Sequence, residues 1–152
     1  MTAAPKLVRI ETQDLTHAQH GQPSRPIRGN TTYQTLESFS AQHGQLSSGV
    51  WEATAGAFRS HCAGYVEFCH ILEGSCRIVD PDGTSHRFGA GDSFVLPEGF
   101  AGHWEVDERV KKSFSSRKPS AKKWAAQGMA SKALKKVFSN HAATQHFSYC
   151  KT

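Results

Sequence analysis

Short apolar segments separated by turns dominate the middle of this chain, between Gly49 and about Phe114. Successive segments read GVWEAT, YVEFCHILEG, SCRIVD, TSHRFGAGD, SFVLPEG and GHWEVDE. Between them, DPDGT has the proline and glycine of a hairpin turn, and GAGD and LPEGF are further turns. Strands this short and this closely spaced, with no alternation of strand and helix, predict an all-β barrel or sandwich.

The two flanking segments lack this pattern. Residues 1 to about 49 are polar and poorly periodic: HGQPSRPIRGN is typical of loop, whereas TTYQTLESFS suits an edge strand or a short turn. From Ser115 onwards the sequence is rich in helix-forming residues, and one stripe of such a helix would hold Trp124, Met129, Leu134 and Phe138. We therefore divide the chain into an N-terminal arm (1–32), a barrel (33–114) and a C-terminal extension (115–152) that is helical or disordered.

The distribution of charge changes near the C-terminal end of the predicted barrel. Residues 1–110 hold 8 Lys and Arg against 13 Asp and Glu, a balance of −5, whereas residues 111–152 hold 10 Lys and Arg and no acid, a balance of +10. This split predicts a basic appendage on an ordinary domain. Residues 111–136 are candidates for contact with nucleic acid or an acidic partner. Because no recognition motif accompanies the lysines, we favour a solvated extension instead.

Length and composition narrow the class of protein. A chain of 152 residues with 38% hydrophobic residues suits a single soluble domain with a real core. No apolar run reaches the length of a membrane span, and the first residues lack the apolar region of a secretory signal, so we expect a cytoplasmic protein without membrane contact. The four cysteines form no CxxC pair, which predicts buried free thiols rather than a zinc ribbon.

Two segments, GAFRSHCAGYVEFCHILEG and GDSFVLPEGFAGHWEV, resemble the two cupin motifs. Glu67 and Gly74 match the end of the first motif, and Gly91, Pro97 and Gly99 match the second. Together with GVWEATAG and VKKSF, these segments are similar to the small single-domain cupins related to the cupin domain of (S)-ureidoglycine aminohydrolase. The resemblance covers roughly residues 33–114. It implies a double-stranded β-helix, or jelly roll, that forms a homodimer and takes a small-molecule ligand.

The metal-binding positions of those motifs are mostly replaced. The two histidines of the first motif fall on Ser60 and Cys62, or the first falls on His61 when the spacing is one residue shorter. The histidine of the second motif falls on Gly102, and His103 lies one position late. Neighbours along a strand point to opposite faces, so His103 would point away from the site.

Only Glu67 stands in its expected metal-binding position. A tight transition-metal site needs three or four convergent ligands, so we expect no complete metal site and no cofactor. The alternative is a divalent metal, whose ligands would come from Glu67, His61, Cys62 and His103.

Strand periodicity then defines a candidate pocket. Glu67, Cys69 and Ile71 share one face of their strand, and Phe68, His70 and Leu72 share the other. Glu67 is the candidate catalytic residue, as a proton acceptor or substrate anchor; the alternative is a structural acid bonded within the fold or to Arg59. The predicted pocket residues are Trp51, Phe58, Cys62, Glu67, Cys69 and Trp104.

The leading hypothesis is therefore that the barrel binds a small polar, nitrogen-rich metabolite in its interior. If the site is catalytic, the protein also converts that metabolite. One alternative is a metal-dependent enzyme of the aminohydrolase or isomerase type. Another is a regulatory module whose basic extension contacts nucleic acid.

Overall fold

The computed structural model describes residues 4–118, and these residues form only β-strands, turns and loops. The strands are β1 (Gln19–Gly21), β2 (Pro26–Arg28), β3 (Tyr33–Ala41), β4 (Leu46–His61), β5 (Val66–Val79), β6 (Ser85–Gly89), β7 (Ser93–Leu96) and β8 (Ala101–Arg117). All pairings are antiparallel. The predicted all-β jelly roll is confirmed. No helix in this part of the chain could span a membrane.

Three long strands build the two facing layers of the barrel. In layer I, residues 46–54 of β4 and 66–71 of β5 both pair with residues 109–117 of β8. In layer II, residues 56–61 of β4 and 76–79 of β5 both pair with residues 101–106 of β8. β1, β3 and β7 extend layer I, and β2 and β6 extend layer II. Each long strand therefore belongs to both layers.

Glycines lie where β4 and β5 bend from one layer to the other. Gly56 has a φ of 142° at the bulge of β4, and an added Cβ would lie 2.0 Å from Oγ1 of Thr31. Gly74 has a φ of 74° at the bulges of β5, and an added Cβ would lie 1.9 Å from the carbonyl oxygen of Arg109. Only glycine adopts these angles and tolerates so close an approach without strain.

The N-terminal segment contains two strands that its sequence does not predict. The segment HGQPSRPIRGN, interpreted as loop, contributes residues to β1, which pairs with β3, and all of β2, which pairs with β4. Both strands are three residues long and largely exposed, so they lack the alternation that marks a half-buried strand. TTYQTLESFS supplies most of β3, as one of its two interpretations expected.

The C-terminal boundary also differs from the prediction. β8 continues three residues beyond Phe114 to Arg117, where Ser116 is buried and pairs with Ser47 of β4 and Glu67 of β5. The amide of Lys118 still donates to the carbonyl of Gln45. The rest of the predicted basic extension, with its apolar stripe, lies at residues 119–152, outside the described residues.

The inward faces of both layers form one apolar core. Aromatic side chains from the two layers meet in it, as in the contact of Trp51 in layer I with Phe58 in layer II, at 6.2 Å between ring centroids. Cys62, Cys69 and Cys76 are buried and form no disulfide among residues 4–118, in agreement with the prediction for these three, whereas Cys150 lies outside the described residues. Burial raises the pKa of the Cys76 thiol to about 12, above the value of 9.0 for an ordinary cysteine.

This raised pKa predicts an alkaline loss of stability that depends on Cys76. Between about pH 9 and 12 the unfolded chain releases the Cys76 proton while the folded chain keeps it, so the free energy of unfolding falls as pH rises through that window. Urea unfolding at pH 8, 9 and 10 should show a steeper decline for the wild type than for Cys76→Ala. Parallel declines would contradict the assignment.

Candidate functional site

Glu67 and Cys69 enter the barrel interior from the same face of β5, as predicted. Both side chains are buried, with Glu67 only 2% exposed. The Sγ of Cys69 donates to Oε1 of Glu67 at 3.2 Å. On the opposite face Phe68 is exposed, and Nδ1 of His70 lies 2.9 Å from the hydroxyl of Ser93. The strand register therefore assigns a carboxylate and a thiol to the interior and the histidine to the exterior.

Lys112 completes this cluster from β8. Its Nζ donates to Oε1 of Glu67 and lies 3.4 Å from Sγ of Cys69. The side chain of Lys112 is 3% exposed. Two opposite charges thus meet inside a core where neither could remain alone without a large desolvation cost. We call Glu67, Cys69 and Lys112 the interior polar cluster.

Aromatic rings surround the ammonium group of that cluster. Nζ of Lys112 lies 5.1 Å from the ring centroid of Trp51 and 4.7 Å from that of Trp104, both within the range of cation–π attraction. The ring of Phe58 stacks on Trp104 at 6.3 Å between centroids. Two of the predicted pocket residues, Trp51 and Trp104, therefore adjoin the interior polar cluster, and a third, Phe58, packs against both of them.

Lys112 was missed because its sequence context is a pair of lysines. Lys111 and Lys112 were assigned to the basic segment 111–136, yet both are buried in β8. They point to opposite faces: Lys111 contacts Glu73 at 3.2 Å and Glu52 at 3.8 Å on the outside, and Lys112 contacts Glu67 inside. The signal was the alternation Val110, Lys112, Phe114, which places the second lysine among inward apolar residues.

The remaining predicted metal ligands do not join the cluster. Nε2 of His103 lies 3.4 Å from Oε1 of Glu105 on the outer face of layer II, where the hydrogen bond from Arg77 lowers the pKa of Glu105. His61 is the last residue of β4 and is half-buried. Buried Cys62 follows it, and its amide donates to the carbonyl of Phe100. Within residues 4–118, no three His, Cys, Asp or Glu side chains converge as a metal site.

The position of the second-motif histidine has no room for a side chain. Gly102 pairs with Ser60, as the motif spacing implies. An added Cβ at Gly102 would lie 2.2 Å from the carbonyl oxygen of Val79 and 2.5 Å from Cζ of Phe100. The contact with backbone could be relieved only by moving β5 or β8. The usual cupin metal set therefore does not fit this barrel: one ligand position is sterically filled, and Lys112 already engages Glu67.

The buried ion pair predicts a non-additive pair of substitutions. Lys112→Met leaves the Glu67 carboxylate unpaired and should lower the free energy of unfolding by about 3–5 kcal/mol. Replacing both partners in Glu67→Met/Lys112→Met should restore most of that loss, because similar apolar volume then fills the site. Urea unfolding of the two single variants and the double variant gives the coupling energy. A double variant as unstable as the sum of the singles would contradict the pairing.

The crowding at Gly102 predicts that substitution by alanine destabilises the protein. Gly102→Ala should lower the free energy of unfolding by about 1–3 kcal/mol, since the new methyl group forces backbone apart. Gly89→Ala is the matched control, because an added Cβ there meets no atom within 4 Å among the described residues. Thermal unfolding of both variants checks this, and equal stabilities would show that position 102 is open.

Comparison with known proteins agrees with this architecture. The family model of the EutQ-like cupin domain matches residues 40–114. No curated protein matches the chain. The similarity to (S)-ureidoglycine aminohydrolase cupins therefore stays a prediction.

Solved structures share the fold at low sequence identity. A protein of unknown function from Pseudomonas syringae pv. tomato is 20% identical, with a TM-score of 0.62 over 70% of this chain, but the match covers only 46% of that protein. A putative ethanolamine utilization protein Q from Salmonella typhimurium is 16% identical, with a TM-score of 0.55 over 79% of this chain and all of that one. The polyketide cyclase RemF from Streptomyces resistomycificus is 17% identical, with a TM-score of 0.53 over 74% of this chain and 83% of that one. The protein is therefore a cupin by fold, and its residues 40–114 are similar to the EutQ-like cupin domain.

Proposed function

We propose that this cupin binds a small polar metabolite in its barrel interior, with the ammonium group of Lys112 supplying the positive charge that a metal ion supplies in other cupins. The observation that carries the proposal is the Glu67–Lys112 pair between Trp51 and Trp104. A buried ion pair adds little net stability compared with apolar residues of the same volume. Its presence in an aromatic core is therefore better explained by a ligand than by folding.

Trp104 suggests the chemical class of the ligand. Its indole Nε1 is buried and has no hydrogen-bond acceptor among residues 4–118. Buried donors are rarely left without an acceptor, so a ligand oxygen is a natural partner. A carboxylate or carbonyl oxygen would accept from Nε1 and be attracted to the nearby ammonium of Lys112. Ureido compounds carry such carbonyl oxygens, which agrees with the resemblance in the sequence motifs.

A second candidate function is catalytic conversion of the bound molecule, and the Glu67–Lys112 pair favours it too. Glu67 is a proton acceptor and Lys112 a proton donor, and they stand in direct contact. Such a pair can take a proton from one atom of a ligand and give one to another. Family likeness adds nothing to this point, because one fold serves many chemistries.

The proposal is tested by comparing ligand binding to the wild type and to Glu67→Gln. Small carboxylates and ureides are first screened for those that raise the melting temperature of the wild type. The dissociation constants of these compounds are then measured by calorimetric titration in the presence of EDTA. Glu67→Gln should weaken a confirmed ligand about tenfold or more, equivalent to about 1.4 kcal/mol, because Lys112 loses its counter-charge and its orientation. Glu73→Gln is the matched control: it makes the same change on the same strand, but on the outer face beside Lys111.

Two results would count against the proposal. Binding that Glu67→Gln leaves unchanged would place the ligand elsewhere. One metal per chain in protein purified without chelator or metal-affinity resin, lost in Glu67→Gln and required for ligand binding, would favour the metal-dependent alternative.

A further inference from the structure

The thiol and the amine of the interior polar cluster are close enough to react with each other. Sγ of Cys69 and Nζ of Lys112 are 3.4 Å apart, a separation typical of atoms poised for bond formation. Both groups also contact the same atom, Oε1 of Glu67. Neighbouring strands β5 and β8 hold the two side chains in this arrangement.

We propose that Cys69 and Lys112 form a covalent modification site, in which hydrogen peroxide drives formation of a sulfenamide bond between Sγ and Nζ. The bond itself needs no ligand. Its consequence, loss of the cation that anchors a ligand, rests on the proposed function.

The reaction balances in two steps. First, Sγ attacks one oxygen of peroxide and the O–O bond breaks. The departing hydroxide takes the thiol proton, so the products are the sulfenic acid of Cys69 and water. Then Glu67 takes one proton from the Lys112 ammonium, and the lone pair freed on Nζ attacks Sγ. The S–O bond breaks, and the hydroxyl leaves with a second Nζ proton as the second water. Sulfur is oxidised and peroxide is reduced to two waters.

Glu67 keeps the interior free of unpaired charge during this change. The ammonium of Lys112 carries three protons, of which one leaves as water and one remains on the sulfenamide nitrogen. The third passes to Glu67, which becomes a neutral carboxylic acid. The ion pair therefore disappears as a unit, and no isolated charge is left in the core, where it would be costly.

Burial of Cys69 slows its oxidation by peroxide but favours the sulfenamide over other products. Cys69 is fully buried, so a sulfenic acid formed there is shielded from bulky thiols that would otherwise trap it as a mixed disulfide. The amine of Lys112 is already in contact with the sulfur. Cys76 offers an internal comparison, since it is also buried on β5 but pairs across the sheet with Val106 and Phe88.

Peptide mapping of the folded full chain tests the proposal. After exposure to dilute hydrogen peroxide, remaining thiols are alkylated under denaturing conditions without reductant, and the chain is cut with trypsin and a glutamate-specific protease. Cleavage after Glu67 and Glu73 isolates Cys69 from Cys62 and Cys76, in the peptide 68–73. The expected product joins this peptide to 112–117, with a mass about 2 Da below the sum of the two reduced peptides, and dithiothreitol separates them.

Lys112→Arg is the matched variant, because a guanidinium preserves a cation beside Glu67 but is a poor nucleophile. Its folding is checked by thermal unfolding. Its Cys69 sulfenic acid should persist in the folded chain and should be labelled by dimedone once the chain is denatured in the presence of that reagent. The proposal is overturned if wild-type Cys69 is recovered only as alkylated thiol or as sulfinic acid with Lys112 unmodified. Cross-linking of Cys76 to Lys112 in equal yield would also overturn it.

Discussion

The interior of this barrel exists because three long strands each serve both layers. β8 is the clearest case: its first half carries Trp104 into the core from layer II, and its second half carries Lys112 into the core from layer I. The bend between these halves brings the ammonium to 4.7 Å from the indole ring. Gly56 and Gly74 permit the equivalent bends in β4 and β5, so the site and the fold depend on the same constraint.

The chemistry inside that framework is an exception to an otherwise apolar core. A carboxylate, an ammonium and a thiol meet among aromatic rings, and each is satisfied by the others. Such clusters are sensitive to substitution, since removing either charged member leaves the other as an unpaired buried charge. Gly102 shows that the difference from metal-binding cupins extends to the backbone, because the missing histidine has no space. In this barrel the core side chains pack around the ammonium group of Lys112.

The similarity to the EutQ-like cupin domain and to the polyketide cyclase RemF shows the fold of this protein but not its chemistry, which depends on the side chains in the barrel interior. Proteins that share this fold differ in what occupies the barrel interior, so function must be argued from the residues found there. Here those residues are the basis of our proposal of a polar-ligand site that uses Lys112, and the contact between sulfur and nitrogen is the basis of our proposal that peroxide would alter that site.

The sequence by itself determined the strand pattern, the inward direction of Glu67 and Trp104, and the outward direction of His103. These follow from the period of two along a strand, which is a local property. The short strands β1 and β2 were missed because exposed three-residue strands carry no such pattern. The alternation around Lys112 indicates its inward direction, but only the tertiary structure decided that it pairs with Glu67. A lysine in a basic run is normally a surface charge, and its burial becomes favourable only where a distant strand supplies Glu67 to pair with it.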